Sequence, residues 1–229
     1  EPIAVETVTE LVAPAAPIAV ETVSNPVAAA AAIATKETAT PTALTTAPVG
    51  DRWAIASPET DLSGKWKVIV SEEFKKEYDE FLQGLGQPMI VRTVALSIIG
   101  LTSEETEQGD EGRTFFIHGT NARGVWERTL VSSGADCESS TYHALHIPIV
   151  TADSEHIEAE AWWEKGGTVH RSWMRGGKKY GGGDFESLRY LEQDGDVYVC
   201  ESIFHPSEEG RDQLSLTWKF LREGAKLKK

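Results

Sequence analysis

The sequence predicts an all-β protein: an up-and-down antiparallel β-barrel of about nine or ten strands, with a helical lid after the first strand and an extended N-terminal arm. Three observations predict it. Gly64-Lys65-Trp66 opens an apolar strand. One amphipathic helix follows at once, and period-two patterning then dominates to the C-terminus. A meander of short strands joined by tight turns is best closed as a barrel, which removes exposed sheet edges.

The elements follow in order. Residues 1–50 contain no aromatic residue and no Arg, and are mostly Ala, Pro, Thr and Val with a few Glu. Pro2-Ile3-Ala4-Val5-Glu6-Thr7-Val8 recurs letter for letter as Pro17-Ile18-Ala19-Val20-Glu21-Thr22-Val23. Such a segment carries too little bulky apolar surface to offset its ordering entropy, so alone it is expected to be disordered or polyproline-like. It reads either as a linker left by processing of a precursor or as a docking arm. In the second reading Ile3, Val5, Val8, Ile18, Val20 and Val23 pair with a partner. The barrel domain is expected over 51–229, with Trp53 and Ile55 as its first packing residues.

Ser71 is the expected N-cap of the helix, with Glu72 and Glu73 at the positive end of its dipole. Phe74, Tyr78, Phe81, Leu82 and Leu85 form its apolar face, and Gly84 and Gly86 stop it. The run Met89 to Leu101 fits a second short helix or a strand. Strands are expected at about 64–70, 93–101, 113–120, 123–132, 141–151, 155–164, 168–175, 184–192, 196–204 and 213–222. Ile157, Ala159, Ala161 and Trp163 share one face of their strand, as do Leu214, Leu216, Trp218 and Phe220 of the last. Asp194-Gly195 and Gly166-Gly167 mark hairpin turns.

Length and composition bound the function. At 229 residues and 40% hydrophobic content, one or two domains and one sizeable core are expected. The net charge of -14, from 22 basic and 36 acidic residues, argues against nucleic acid and against adsorption to anionic lipid. Lys226, Lys228 and Lys229 read as a solvated end. Cys137 and Cys200 do not make a secreted disulfide framework; one bridge or two buried thiols are open. No run reaches the ~20 apolar residues of a membrane helix, and no Asn-x-Ser/Thr sequon occurs. The chain begins at Glu1, so a processed or trimmed form is expected.

No catalytic signature emerges, and neither a metal nor a cofactor is expected. His118, His143, His146, His156, His170 and His205 read as surface or partly buried histidines. His143 and His146 point to opposite faces of a strand, and no Cys/His set has zinc spacing. Gly176 to Gly183 lacks the Gly-Lys-Ser/Thr of a phosphate loop and reads as a hairpin loop. No Gly-x-Ser-x-Gly elbow is present. The tryptophans Trp126, Trp163, Trp173 and Trp218 fit either a barrel core or an aromatic-lined cavity for a lipid or pigment-like ligand.

The segment Gly64-Lys65-Trp66-Lys67-Val68-Ile69-Val70-Ser71-Glu72-Glu73-Phe74 resembles the opening of the intracellular fatty-acid-binding proteins. Leu85-Gly86 and Arg92-Thr93-Val94-Ala95 are similar to that family's lid continuation. Leu188-Arg189-Tyr190-Leu191, Asp194-Gly195 and Phe220-Leu221-Arg222-Glu223 are similar to its last strands. The resemblance covers about 61–223, and Gly-x-Trp is shared with the wider calycin group, including lipocalins. It implies a lipid-binding barrel without catalytic activity. The family's carboxylate signature, Arg-x-Tyr on the final strand, is replaced by Trp218-Lys219-Phe220, while Arg189 falls where the family has another interior Arg. The chain is also longer around Thr151 to Glu155 and Gly176 to Gly183. The whole chain, arm plus barrel, resembles an accessory subunit of an algal photosystem I, which implies a chloroplast location peripheral to the thylakoid membrane.

Two functions are expected from these readings. The first is a non-catalytic accessory subunit whose barrel is docked on a larger assembly by its arm and loops. The second is a soluble carrier of a small hydrophobic molecule, with Trp126, Trp163, Trp173, Arg189, Trp218 and Phe220 lining the interior.

Overall fold

A computed structural model describes residues 51–121, 124–134 and 145–227. The docking residues expected on the arm, together with Cys137, His143, Lys228, Lys229 and the first part of the strand expected at 141–151, lie outside the described residues. Ten antiparallel strands run in meander order: β1 (Gly64–Val68), β2 (Ser103–Gly109), β3 (Thr114–Asn121), β4 (Gly124–Val131), β5 (Ile147–Val150), β6 (His156–Glu164), β7 (Val169–Gly177), β8 (Gly183–Glu192), β9 (Val197–Pro206) and β10 (Leu214–Arg222). The sheet order is β4-β3-β2-β1-β10-β9-β8-β7-β6-β5. A parallel bridge between Ser132 and Ala161 draws β4 toward β6 at one end, so the sheet forms a nearly closed barrel. The all-β barrel of about ten strands expected from the sequence is therefore the observed one.

Two helices lie between β1 and β2: α1 (Glu72–Gly84) and α2 (Met89–Ile98). Ser71 caps α1, its Oγ accepting the Phe74 N–H at 3.0 Å. Phe74 and Phe81 are buried beneath the helix. Phe74 and Tyr78 pack edge-on against Trp218 of β10, with ring centroids at 5.4 and 5.3 Å. Arg211 ties the lid down from the far side, donating to the carbonyls of Gly84 and Tyr180 at 2.7 and 2.5 Å. The two longer loops hold each other: Lys178 N–H donates to Glu155, and the Tyr180 hydroxyl to Asp153.

The strand expected at 93–101 is a correction. This stretch is α2 and a short 3-10 turn, and the strand lies at 103–109 instead. The sequence Ser-Glu-Glu-Thr-Glu-Gln-Gly of β2 shows no apolar alternation, because its inward residues are Glu104, Thr106 and Gln108.

The opposite end is sealed by the segment that leads into β1. Trp53 pairs with Trp163 through two backbone hydrogen bonds of 2.9 and 2.8 Å. Arg52 reaches the Ser133 carbonyl and Glu160. Ser57 donates its N–H to the Gly167 carbonyl at 2.9 Å. Gly167 is required there: its φ is +86°, and a Cβ would lie 2.3 Å from the Ser57 nitrogen. Ala54 and Ala56 are the buried residues of this segment, whereas Ile55 is exposed, which corrects the expectation for Ile55. Trp66, the tryptophan of the Gly-x-Trp opening, plugs the sealed end. Its Nε1 donates to Thr106 at 2.9 Å, its ring stacks on Tyr198, and Arg222 covers it at 4.2 Å.

Candidate ligand-binding interior

The cross-strand register arranges the inner wall in rows. One runs Trp163–His170–Arg189–Cys200–Trp218. The next, toward the lid, runs Ala161–Ser172–Ser187–Ser202–Leu216, and beyond it Ala159–Met174–Phe185–Phe204–Leu214. The facing wall carries Glu104 on β2, Gly119 on β3, and Trp126 and Arg128 on β4, with Glu104, Gly119 and Trp126 in one row. Large apolar rings fill the sealed end, where Trp66, Phe115, Trp163, Tyr198 and Phe220 are all but inaccessible.

The middle of the barrel is charged. Arg189 is 4% exposed and donates to the Ser172 hydroxyl at 2.8 Å. Arg128 lies over the Trp126 ring at 4.1 Å and donates to the Met174 sulfur at 3.0 Å. Trp126 lies flat against Gly119, where a Cβ would come within 2.1 Å of its ring. Among the described residues, Glu104 is the one carboxylate interacting electrostatically with both guanidiniums. Burial raises its pKa toward the neutral form, and the two arginines oppose that. Burial, aided by repulsion from Arg189, pushes Arg128 down to about 10. Both arginines remain cationic at neutral pH, so positive charge exceeds negative inside the barrel. The Nε atoms of Arg128 and Arg189 are buried and have no hydrogen-bond partner among the described residues.

Two neutral groups complete the cluster. Burial raises the Cys200 pKa, so this free cysteine is a thiol. His170, expected at the surface or partly buried, is instead fully buried between Phe115 and Trp163, at 5.0 Å from each ring centroid. Burial first, and Arg189 second, hold its pKa well below 6.5, so the imidazole is neutral. Its two ring nitrogens have no partner among the described residues. The other described histidines fit the expectation of surface or partly buried positions, with His118, His146 and His205 beside Glu127, Glu158 and Glu186.

The interior thus sets Trp126 and Arg189 on facing walls and Trp218 beneath the lid, and seats Trp163 and Phe220 in the packed sealed end. Trp173 is a correction. It lies on the outer face, stacked on His205 at 4.6 Å and beneath Arg175 at 4.3 Å. Its strand turns His170, Ser172 and Met174 inward, which leaves the odd-numbered residues outside. Glu104, Arg128, Tyr198 and the serines carry no individual mark in the sequence, and His170 was not expected in the interior. One signal was available: Ser172, Ser187 and Ser202 are spaced at equal steps of fifteen (187 − 172 and 202 − 187), the repeat of successive hairpins.

Among the described residues, no group of three or more His, Cys, Asp or Glu is placed to hold a metal ion. No helix among them is long and apolar enough to cross a membrane.

These features define an up-and-down antiparallel β-barrel with a two-helix lid after its first strand. No protein-family model matches the chain, and neither does any curated protein. Among solved structures, it is similar to the REP1-NXSQ fatty acid transporter, at 15% identity and a TM-score of 0.47, over 73% of this chain and 98% of that one. It is likewise similar to human cRBP IV, at 18% identity and a TM-score of 0.48, over 71% and 98%.

Proposed function

We propose that the barrel is a non-catalytic carrier of a small amphiphile with an apolar body and an acidic head group. The observation that carries this reading is the pair of guanidiniums, Arg128 and Arg189, set around Glu104, each with a buried Nε that has no partner among the described residues. A buried cation without enough counter-charge is costly, and an anionic head group supplies the missing charge and hydrogen bonds. Trp126, Met174, Phe185 and Trp218 keep part of their surface accessible and offer the apolar wall for the rest of the ligand. In this arrangement Arg128 and Arg189 do the work of the missing Arg-x-Tyr on β10. The test is displacement of a fluorescent fatty acid by unlabelled long-chain acids. Saturable one-site binding with a Kd on the order of 1 μM is expected. Absence of saturation with any acid tested would end this reading.

A second reading keeps the barrel as a docked subunit of a larger assembly, such as photosystem I, held by the arm and loops. It is supported by the anchoring of Asp51, Arg52 and Trp53. Asp51 accepts from the backbone N–H groups of Lys165 and Gly166, which fastens the start of the described chain to the turn between β6 and β7. Removal of residues 1–50 is then expected to abolish co-purification with the partner complex while the barrel stays folded. Unchanged co-purification would refute it.

A further inference from the structure

Across three consecutive strands the inner wall carries serine at one register position: Ser172 pairs with Ser187, and Ser187 with Ser202. Ala161 extends the row onto β6. Larger side chains flank it on both sides, Trp163, His170, Arg189 and Cys200 toward the sealed end and Met174, Phe185 and Phe204 toward the lid. The row is therefore a band of short side chains between longer ones, with Ser172 and Ser187 buried and Ser202 partly accessible. An apolar ligand gains nothing from that band. Burying three hydroxyls beside a hydrocarbon chain carries a desolvation cost that a Val or Ala lining would avoid.

The hydroxyls differ in commitment. Ser172 accepts from Arg189 at 2.8 Å. Ser202 has only a 3.9 Å contact with the Cys200 sulfur, and Ser187 has no hydrogen bond among the described residues. Arg189 supplies an independent sign of a ligand here. It is 4% exposed, bonded to the first serine of the row, and its Nε is unpartnered. Ser187 precedes Arg189 by two residues on β8, a rise of about 7 Å, so its hydroxyl lies a few carbon–carbon bonds from where an acid group would sit.

We propose that this interior selects an oxygenated long-chain acid, one bearing a hydroxyl or keto oxygen along the chain within reach of Ser187 and Ser202, over the plain saturated acid. This rests on the anionic-amphiphile reading above and adds to it the second polar group of the ligand. A site that hydrogen-bonds a ligand hydroxyl discriminates against the analogue that lacks it, because the site's own polar groups then stay buried and unpaired.

The test is a competition series with stearate, stearyl alcohol and hydroxystearates carrying the hydroxyl at successive positions. At least one positional isomer is expected to bind about tenfold more tightly than stearate, the effect of one or two net hydrogen bonds. In Ser187→Ala/Ser202→Ala that preference disappears, with stearate binding at least as tightly as to the parent. A thermal melt confirms that this variant is folded. Hydroxystearates that all bind no better than stearate would overturn the proposal and leave the anion site standing. A preference that survives the double substitution would also overturn it. If no acid binds at all, the anionic-amphiphile reading fails and the proposal falls with it.

Discussion

Trp163→Ala is expected to destabilise the barrel by about 3–5 kcal/mol, read as a lower midpoint in urea denaturation. Several roles meet in this side chain. Its ring is fully buried, meets His170 edge-on at 5.0 Å, and donates through Nε1 to the Gly112 carbonyl at 2.8 Å. Truncation would open a cavity at the sealed end and leave that carbonyl without its partner. It would also remove the ring beside the paired backbone of Trp53, through which the entering segment is fastened. For a domain of this size, the expected loss lowers the melting temperature by roughly 10 °C. A tryptophan that merely lined a ligand cavity would behave otherwise, costing affinity and little stability. Trp126, which keeps part of its surface accessible, is the natural comparison. A Trp163→Ala protein with an unchanged urea midpoint would show that the sealed end does not hold the fold.

How much of this was legible in the sequence turns on one physical fact, the polar middle of the barrel. Where the interior is apolar, alternation reads correctly. Ile157, Ala159, Ala161 and Trp163 point inward as expected, and so do Leu214, Leu216, Trp218 and Phe220. The Gly-x-Trp opening, the Ser71 cap and the amphipathic α1 were equally readable, since each is a local signal. Where the interior turns polar, the rule inverts. On β7 the residues Val169, Arg171, Trp173 and Arg175 face outward while His170, Ser172 and Met174 face inward, so hydrophobicity alone chose the wrong side for Trp173. On β2 the inward face is Glu104, Thr106 and Gln108, and the strand could not be told from a loop.

The outer wall misleads in the same way. Glu160 and Glu186 lie outside the barrel yet are buried, covered by ion pairs with Arg52, Arg175 and Arg171 and by His205. Charge on a strand therefore does not mark the solvent side in this molecule. Arg189 was the exception, because the family resemblance pointed to its position. Arg128 had no such pointer, and only the register of β4 against β3 shows that it turns inward.

Arg189→Met tests the charge at the centre of that polar interior. The substitution keeps most of the side chain's volume and removes the guanidinium, leaving Glu104 and Arg128 as a single opposed pair. Replacing a buried charge by an apolar side chain of similar volume is often neutral or stabilising when the remaining charges balance, so the variant is expected to melt within a few degrees of the parent. Binding should respond differently. A charge-assisted hydrogen bond in a buried site contributes about 1.5–3 kcal/mol, which is roughly 10- to 150-fold in affinity. Long-chain acids are therefore expected to bind about 100-fold more weakly, whereas the corresponding alcohol should be nearly unaffected. Arg128 would also lose a repulsive neighbour, so its pKa should rise from about 10. Residual acid binding in Arg189→Met would then persist to higher pH, because Arg128 alone holds the head group and keeps its proton longer. Equal affinities of the parent and the variant for the acid would move the head group away from β8 and take the anion site with it.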